Sequence, residues 1–290
     1  MCATPVGLVG NGRRRDLVAC NSADGRSVLD FLRHRRREAA RARPLTDEER
    51  AIVARAVHLW PHLDEADRRE LEGTIQCFLD EKTFEGAGGL ALTGEIRLTI
   101  AAEASLLLLH RGASIYPDLD TVVVYPHAYV ASASHREGPV VVTGPEVRLG
   151  ESWTRGLVVL AWDEIAREVR TRSGHNVVLH EFAHQLDAED GAVNGAPLLE
   201  SRGHYLGWAR VLGDEFRSLG ERLRSGLAND IDAYGATNPA EFFAVVTEEF
   251  FERGSVLRAR HPALYGELAS FYRLDPAALV EARPATRSLV

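Results

Sequence analysis

Two histidines four residues apart, the first followed directly by a glutamate, mark the segment with the most chemistry in it: Val177-Val178-Leu179-His180-Glu181-Phe182-Ala183-His184-Gln185-Leu186-Asp187. On a helix, residues four apart stand one above the other, so His180 and His184 can aim imidazole nitrogens at a single point. This is the HExxH pattern. Two imidazoles bind zinc, and Glu181, beside the metal, takes a proton from water in metal-assisted hydrolysis. Val178, Leu179, Phe182, Ala183 and Leu186 are the apolar surroundings that would bury such a helix and keep its site dry. The alternative is a pair of structural histidines on an amphipathic helix, so the metal reading needs a third ligand.

A catalytic zinc takes three protein ligands and keeps a fourth position open. Asp190, six residues past His184, would echo the HExxHxxGxxH/D spacing of metzincin-like enzymes. That spacing turns on a glycine three residues beyond the second histidine, and the residue there is Asp187. Glu241 is the better-placed candidate. Asn238 as N-cap and Pro239 at the first helical position put it at the third residue of a helix. A glutamate at that position is also the usual partner in a capping box, which is the structural alternative. The phenylalanines that follow, Phe242, Phe243, Phe250 and Phe251, would pack this helix into the core beside the first, the arrangement of the gluzincins. Asp187 lies on the ligand face of the first helix, where it could accept a hydrogen bond from the outer nitrogen of a ligating imidazole or serve as an ordinary helix-end aspartate. Glu248 shares a face with Glu241 and reads as an ion-pair residue or a support for the ligands.

Several elements must position these groups. Thr46-Asp47-Glu48-Glu49 resembles a capping box opening a helix with Ile52, Val53, Ala56, Val57 and Trp60 on one face. A second helix starts near Asp64, runs through Leu71, Ile75, Phe78 and Leu79, and stops before the glycine-rich turn at 85–89. A third, largely buried, covers 95–109, its apolar run broken by Glu103. Short β-branched runs at 121–125, 140–142 and 157–162 read as strands, the last offering an unpaired edge to an extended peptide. Helices follow at 177–188, 201–226, 239–252 and 261–273. The pattern predicts an α+β fold, mainly helical, with a small β-sheet.

Of the 290 residues, 45% are hydrophobic and 26% charged, which excludes general disorder and a disulfide scaffold. A net charge of −8 argues against a surface built to hold nucleic acid or an anionic membrane. Cys2, Cys20 and Cys77 are too widely spaced for a CxxC site. No apolar stretch approaches the roughly 20 residues of a membrane span, and no secretory signal is recognised, so a cytoplasmic protein is expected. We read 1–44 as a disordered or basic extension whose arginine run at 33–37 is solvated, 45–282 as the metallopeptidase domain, and 283–290 as a loose tail.

The segments Asn176 through Asp187, Asn194-Gly195-Ala196-Pro197, Ile231-Asp232-Ala233-Tyr234 and Asn238 through Val245, with Val124-Tyr125-Pro126 and Leu160-Ala161-Trp162, together resemble the Mlc titration factor A family of zinc-dependent peptidases. The resemblance covers residues 45–280. It implies one zinc ion held by His180, His184 and Glu241, with Glu181 as catalytic base, aminopeptidase-like activity on small peptides, and binding to the glucose-responsive repressor Mlc. The spacing from Tyr234 to Glu241-Phe242-Phe243 is similar to that in the catalytic domain of anthrax lethal factor, where the tyrosine assists the reaction, and this implies a catalytic role for Tyr234. A second reading makes the chain a regulatory protein that sequesters a transcriptional repressor, with peptidase chemistry secondary. The intact Glu181 favours the enzyme, since sequestration needs no base.

Overall fold

The computed structural model describes residues 34–282, except 113, 128, 138–139, 149 and 152–155. The readings of residues 1–27 and 283–290 therefore fall outside the described residues. Packing divides the chain into Met1–Ala39 and Ala40–Val290. Residues 34–41 are helical (α1), with Arg35 and Arg36 exposed.

Local signals open the first helices of the larger unit. The Thr46 hydroxyl accepts from the Glu49 amide at 3.2 Å and the Glu49 carboxylate accepts from the Thr46 amide at 2.8 Å, a reciprocal box at the start of α2 (Asp47–Ala56). It satisfies donors that a helix N-terminus otherwise leaves unpaired. Asp64 caps α3 (Glu65–Glu81) by accepting from the amides of Ala66 and Asp67. Thr93 caps α4 (Gly94–Leu106), which is buried at every position from Leu98 to Leu106, as expected of a helix apolar all round. α4 stops three residues before the predicted end at 109, because the leucine run continues as turns.

β1 (Thr83–Gly86), β2 (Thr121–Tyr125) and β6 (Leu157–Ala161) form a parallel sheet in which Phe84 faces Val122 and Val122 faces Val158. β5 (Gly150–Glu151) adds to β6 in antiparallel sense, while β3 (Tyr129–Glu137) and β4 (Val140–Arg148) form, among the described residues, a separate two-stranded antiparallel pair. Two sequence expectations change here. β6 is interior rather than an edge, since β5 pairs with its Val159 and Leu160. The segment 83–86 is a strand rather than part of the turn, which follows it with Gly88 and Gly89 at φ of +59° and +82°. Buried Lys82 sits just before β1 and donates to the carbonyls of Tyr116 and Leu119, at 2.7 Å each.

β6 ends at Ala161, and Trp162, predicted to be the last strand residue, opens α5 (Trp162–Thr171). α6 (Val177–Asp187), α7 (Arg202–Arg224), α8 (Pro239–Glu252) and α10 (Pro262–Tyr272) match the expected helices. α9 (Gly254–Arg260) and α11 (Pro276–Ala282) are seven-residue helices, two turns each and too short to show a period. The fold is mainly helical α+β, and its centre is aromatic. Phe182 on α6 packs against Phe78 at 5.5 Å and Tyr116 at 4.8 Å between ring centroids. On α8, Phe243 meets Trp208 and Phe271, and Phe250 meets Tyr265 and Tyr272. Each such buried ring contributes up to about 3 kcal/mol, which anchors α6 and α8 in the interior.

Candidate metal centre

α6 starts at Asn176, whose side-chain oxygen accepts the Leu179 amide, and one turn later it presents His180 and then His184 with ring centroids 4.9 Å apart. α8 starts at Asn238, which accepts the amides of Ala240 and Glu241. The Glu241 carboxylate turns toward the histidines, with Oε2 at 3.0 Å from His180 Nε2 and 3.4 Å from His184 Nε2. One ligand atom from each of His180, His184 and Glu241 lies within 4.8 Å of the others, a cluster compatible with a metal ion. Asp190 is not part of it. Itself exposed, it ends the 3-10 turn Ala188–Asp190, and its carboxylate accepts the Ala192 amide.

Charge in the metal-free cluster is strongly perturbed. Burial disfavours the His180 cation, but hydrogen bonds to Glu241 and Glu248 outweigh it and lift His180 to about 10. Burial pushes Glu241 up, while hydrogen bonds from His180 and His184 prevail and hold it at about 2. Glu181 is 5% exposed and its Oε2 has no hydrogen-bond partner among the described residues. Burial raises it to about 7 against the pull of both histidines, within the range of a general base.

Glu248 is more than an ordinary ion-pair residue. Its Oε1 lies 2.7 Å from His180 Nδ1, and its Oε2 accepts the Asn176 amide at 2.7 Å. The Asn176 side chain donates to Glu103 and Glu252, both at 3.1 Å, and the Val177 amide donates to Glu168 at 2.8 Å. Carboxylates thus gather at the N-terminus of α6, where the helix dipole favours negative charge. Burial still raises Glu103 well above the usual carboxylate range, Glu168 to about 7, and Glu252 upward. Sequence reasoning missed this cluster, although an acid inside the apolar run of α4, Glu103, was its visible trace.

Asp187 is fully buried, and its Oδ2 accepts the Gly195 amide at 2.8 Å. Among the described residues, Asp187 Oδ1 and His184 Nδ1 both lack a hydrogen-bond partner. Tyr234 belongs to the 3-10 turn Ala233–Ala236, is 54% exposed, and has its ring 5.9 Å from that of His180. His175 is exposed, 3.7 Å from Asp232 and 4.0 Å from Glu248. His204 is exposed at the start of α7.

The model of the glucose-regulated metallo-peptidase M90 family matches residues 31–273. The chain belongs to the M90 family. It is 46% identical to an uncharacterized protein of Synechocystis sp. over 237 residues, 81% of this chain and 86% of that one. It is 33% identical to Mlc titration factor A of Serratia proteamaculans (81% and 90% covered) and 34% identical to that of Klebsiella pneumoniae (77% and 85%). The M90 match spans α2 through α10 and so includes all three residues of the metal-compatible cluster. Among the described residues, no helix is long and apolar enough to cross a membrane.

Proposed function

We propose that this protein is a cytoplasmic zinc-dependent peptidase with aminopeptidase-like activity, binding one zinc ion through His180, His184 and Glu241. The observation that carries this reading is the convergence of those three side chains beside a buried glutamate with one oxygen unpartnered. Ligand atoms about 2.0–2.2 Å from a tetrahedral zinc lie roughly 3.3–3.5 Å apart. The 3.4 Å separation of Glu241 from His184 meets that requirement, and the 3.0 Å separation from His180, a hydrogen-bond distance, needs to open by a few tenths of an ångström.

Bound zinc supplies a Lewis acid that lowers the pKa of water from 15.7 toward about 7 and polarises a scissile carbonyl. Glu181 accepts the proton of the attacking water and delivers it to the leaving amine nitrogen. Its place in this role rests on its burial beside the two histidines, with one carboxylate oxygen lacking a hydrogen-bond partner among the described residues. The Tyr234 hydroxyl donates a hydrogen bond to the substrate oxygen as that atom gains negative charge, a role supported by the position of its ring beside His180. The domain that performs this chemistry is 45–282, with 1–44 as an extension and 283–290 as a tail.

A second reading draws on the name of the relatives, Mlc titration factor A. On it, the protein also binds and sequesters a transcriptional repressor. The net charge of −8 favours contact with a protein over contact with nucleic acid. Elemental analysis and peptide hydrolysis test the enzyme. Near-stoichiometric zinc and activity in the wild type, both lost in Glu241→Ala, support it; zinc retained there but lost in Asp190→Ala overturns the ligand assignment. Repressor capture by a Glu181→Gln protein that hydrolyses nothing would support the second reading.

A further inference from the structure

Asn194-Gly195-Ala196-Pro197 is a segment of the family resemblance to which the proposed chemistry gives no task. The structure places Gly195 where three helices meet. Its amide donates to Asp187, the last residue of α6, at 2.8 Å. Its carbonyl accepts from Trp208 Nε1 on α7 at 2.8 Å, and both bonds are buried. Its third side faces α8 with no space to spare. A Cβ on Gly195 would lie 2.2 Å from the Pro239 carbonyl oxygen and 2.7 Å from its carbon, and φ is +76°, a conformation that disfavours any side chain. Pro239 is the first residue of α8, and Glu241 lies two residues further on.

One peptide unit therefore ties the end of the helix that carries His184 to the start of the helix that carries Glu241. Burial raises the pKa of Asp187 against the pull of the Gly195 amide, the His184 imidazole and the amides of Ala196 and Asn194. Its Oδ2 is a fixed acceptor for this loop. We propose that Asp187 and Gly195 form a register clamp that holds Glu241 at ligand distance from His184, so that metal affinity depends on two residues that touch no metal. This rests on the zinc site proposed above. The clamp uses Oδ2; Oδ1 has no hydrogen-bond partner among the described residues, so an action on the His184 imidazole is the alternative that the test separates.

The test is zinc affinity by chelator competition, with Co2+ absorption as a probe of coordination geometry. Melting of the metal-free proteins and crystal structures of the metal-free wild type and Asp187→Ala accompany it. Asp187→Ala and Gly195→Ala are expected to lose about 10- to 100-fold in affinity, the range for groups that support ligands without contacting the metal. Asp187→Asn keeps an oxygen for the Gly195 amide and should stay within about threefold of wild type. If Asp187→Asn is as weak as Asp187→Ala, the carboxylate acts on the His184 imidazole and the clamp is wrong. Unchanged affinity in Asp187→Ala, with only a lower melting temperature, also overturns it. If the wild type binds no metal, the zinc reading fails by itself. The clamp is then judged on the metal-free structures, where the His184–Glu241 separation must exceed 3.4 Å in Asp187→Ala. Gly195→Ala could fail to fold, which is why Asp187 carries the decision.

Discussion

The Glu248 carboxylate lies 2.7 Å from His180 Nδ1, on the opposite side of the ring from Glu241. His180 is thus held between two carboxylates, one on each nitrogen, both borne by α8. An imidazole held this way has its orientation set before a metal arrives, and the Glu248 contact keeps the proton on Nδ1, so that Nε2 is the nitrogen left for the metal. Glu248→Ala strips this support and leaves the buried Asn176 amide without its acceptor. Zinc affinity should fall by about 10- to 100-fold. Titration against a chelator checks this, and an unchanged dissociation constant would mean that Glu248 supports only the helix end.

Glu181→Gln should keep zinc at near-stoichiometric content and lose peptide hydrolysis by at least about a hundredfold, since general acid–base catalysis contributes 10²–10⁴. Metal analysis and turnover measured on the same preparation separate this from a loss of the site. Near wild-type turnover would remove Glu181 from the role of base.

Tyr234→Phe should lower kcat by roughly 10- to 1000-fold with little change in KM, the pattern of a hydrogen bond made only in the transition state. Stability should change by no more than about 1 kcal/mol, because the ring remains. Normal steady-state kinetics in this variant would reduce Tyr234 to a packing residue.

Glu168 gives a pH prediction away from the metal ligands. Burial raises it from 4.5 to about 7, so between those values the folded protein keeps a proton that the unfolded chain releases. Stability from this group is then fully present below about pH 4.5 and declines as pH rises toward 7. Glu168→Gln keeps an oxygen for the Val177 amide and cannot ionise. The metal-free variant should match wild type near pH 4.5 and exceed it by up to about 3 kcal/mol at pH 8, on the scale of 1.36 kcal/mol per pKa unit. Denaturant melts at the two pH values decide it, and a constant difference would rule out a titrating Glu168.

What could be read before the structure was local. Thr46 and Asp64 announce their helices because a cap is a relation between neighbours, and Asn238-Pro239 places Glu241 for the same reason. His180 and His184 share a face through helical periodicity alone. The β5–β6 pairing was hidden because two residues, Gly150 and Glu151, carry no hydrophobic pattern. The tasks of Glu248 and Asp187 were hidden because their partners, His180 and Gly195, are fixed only when separate segments pack. Glu103 advertised a buried polar contact without naming its partner.

His180 and Glu241 stand 61 residues apart in the chain, and this separation orders events in time. A ribosome adding about 5–20 residues per second completes HExxH roughly 3–11 s before it reaches Glu241. During that interval the nascent chain carries two of the three proposed ligands and the base, but not the glutamate that completes the set. α8 is buried along almost its whole length, so Glu241 reaches the histidines only once the core has closed around it. On the proposed reading, a hydrolytic centre assembled this way stays inert until its own domain has folded, so the unfolded chain is not exposed to that chemistry.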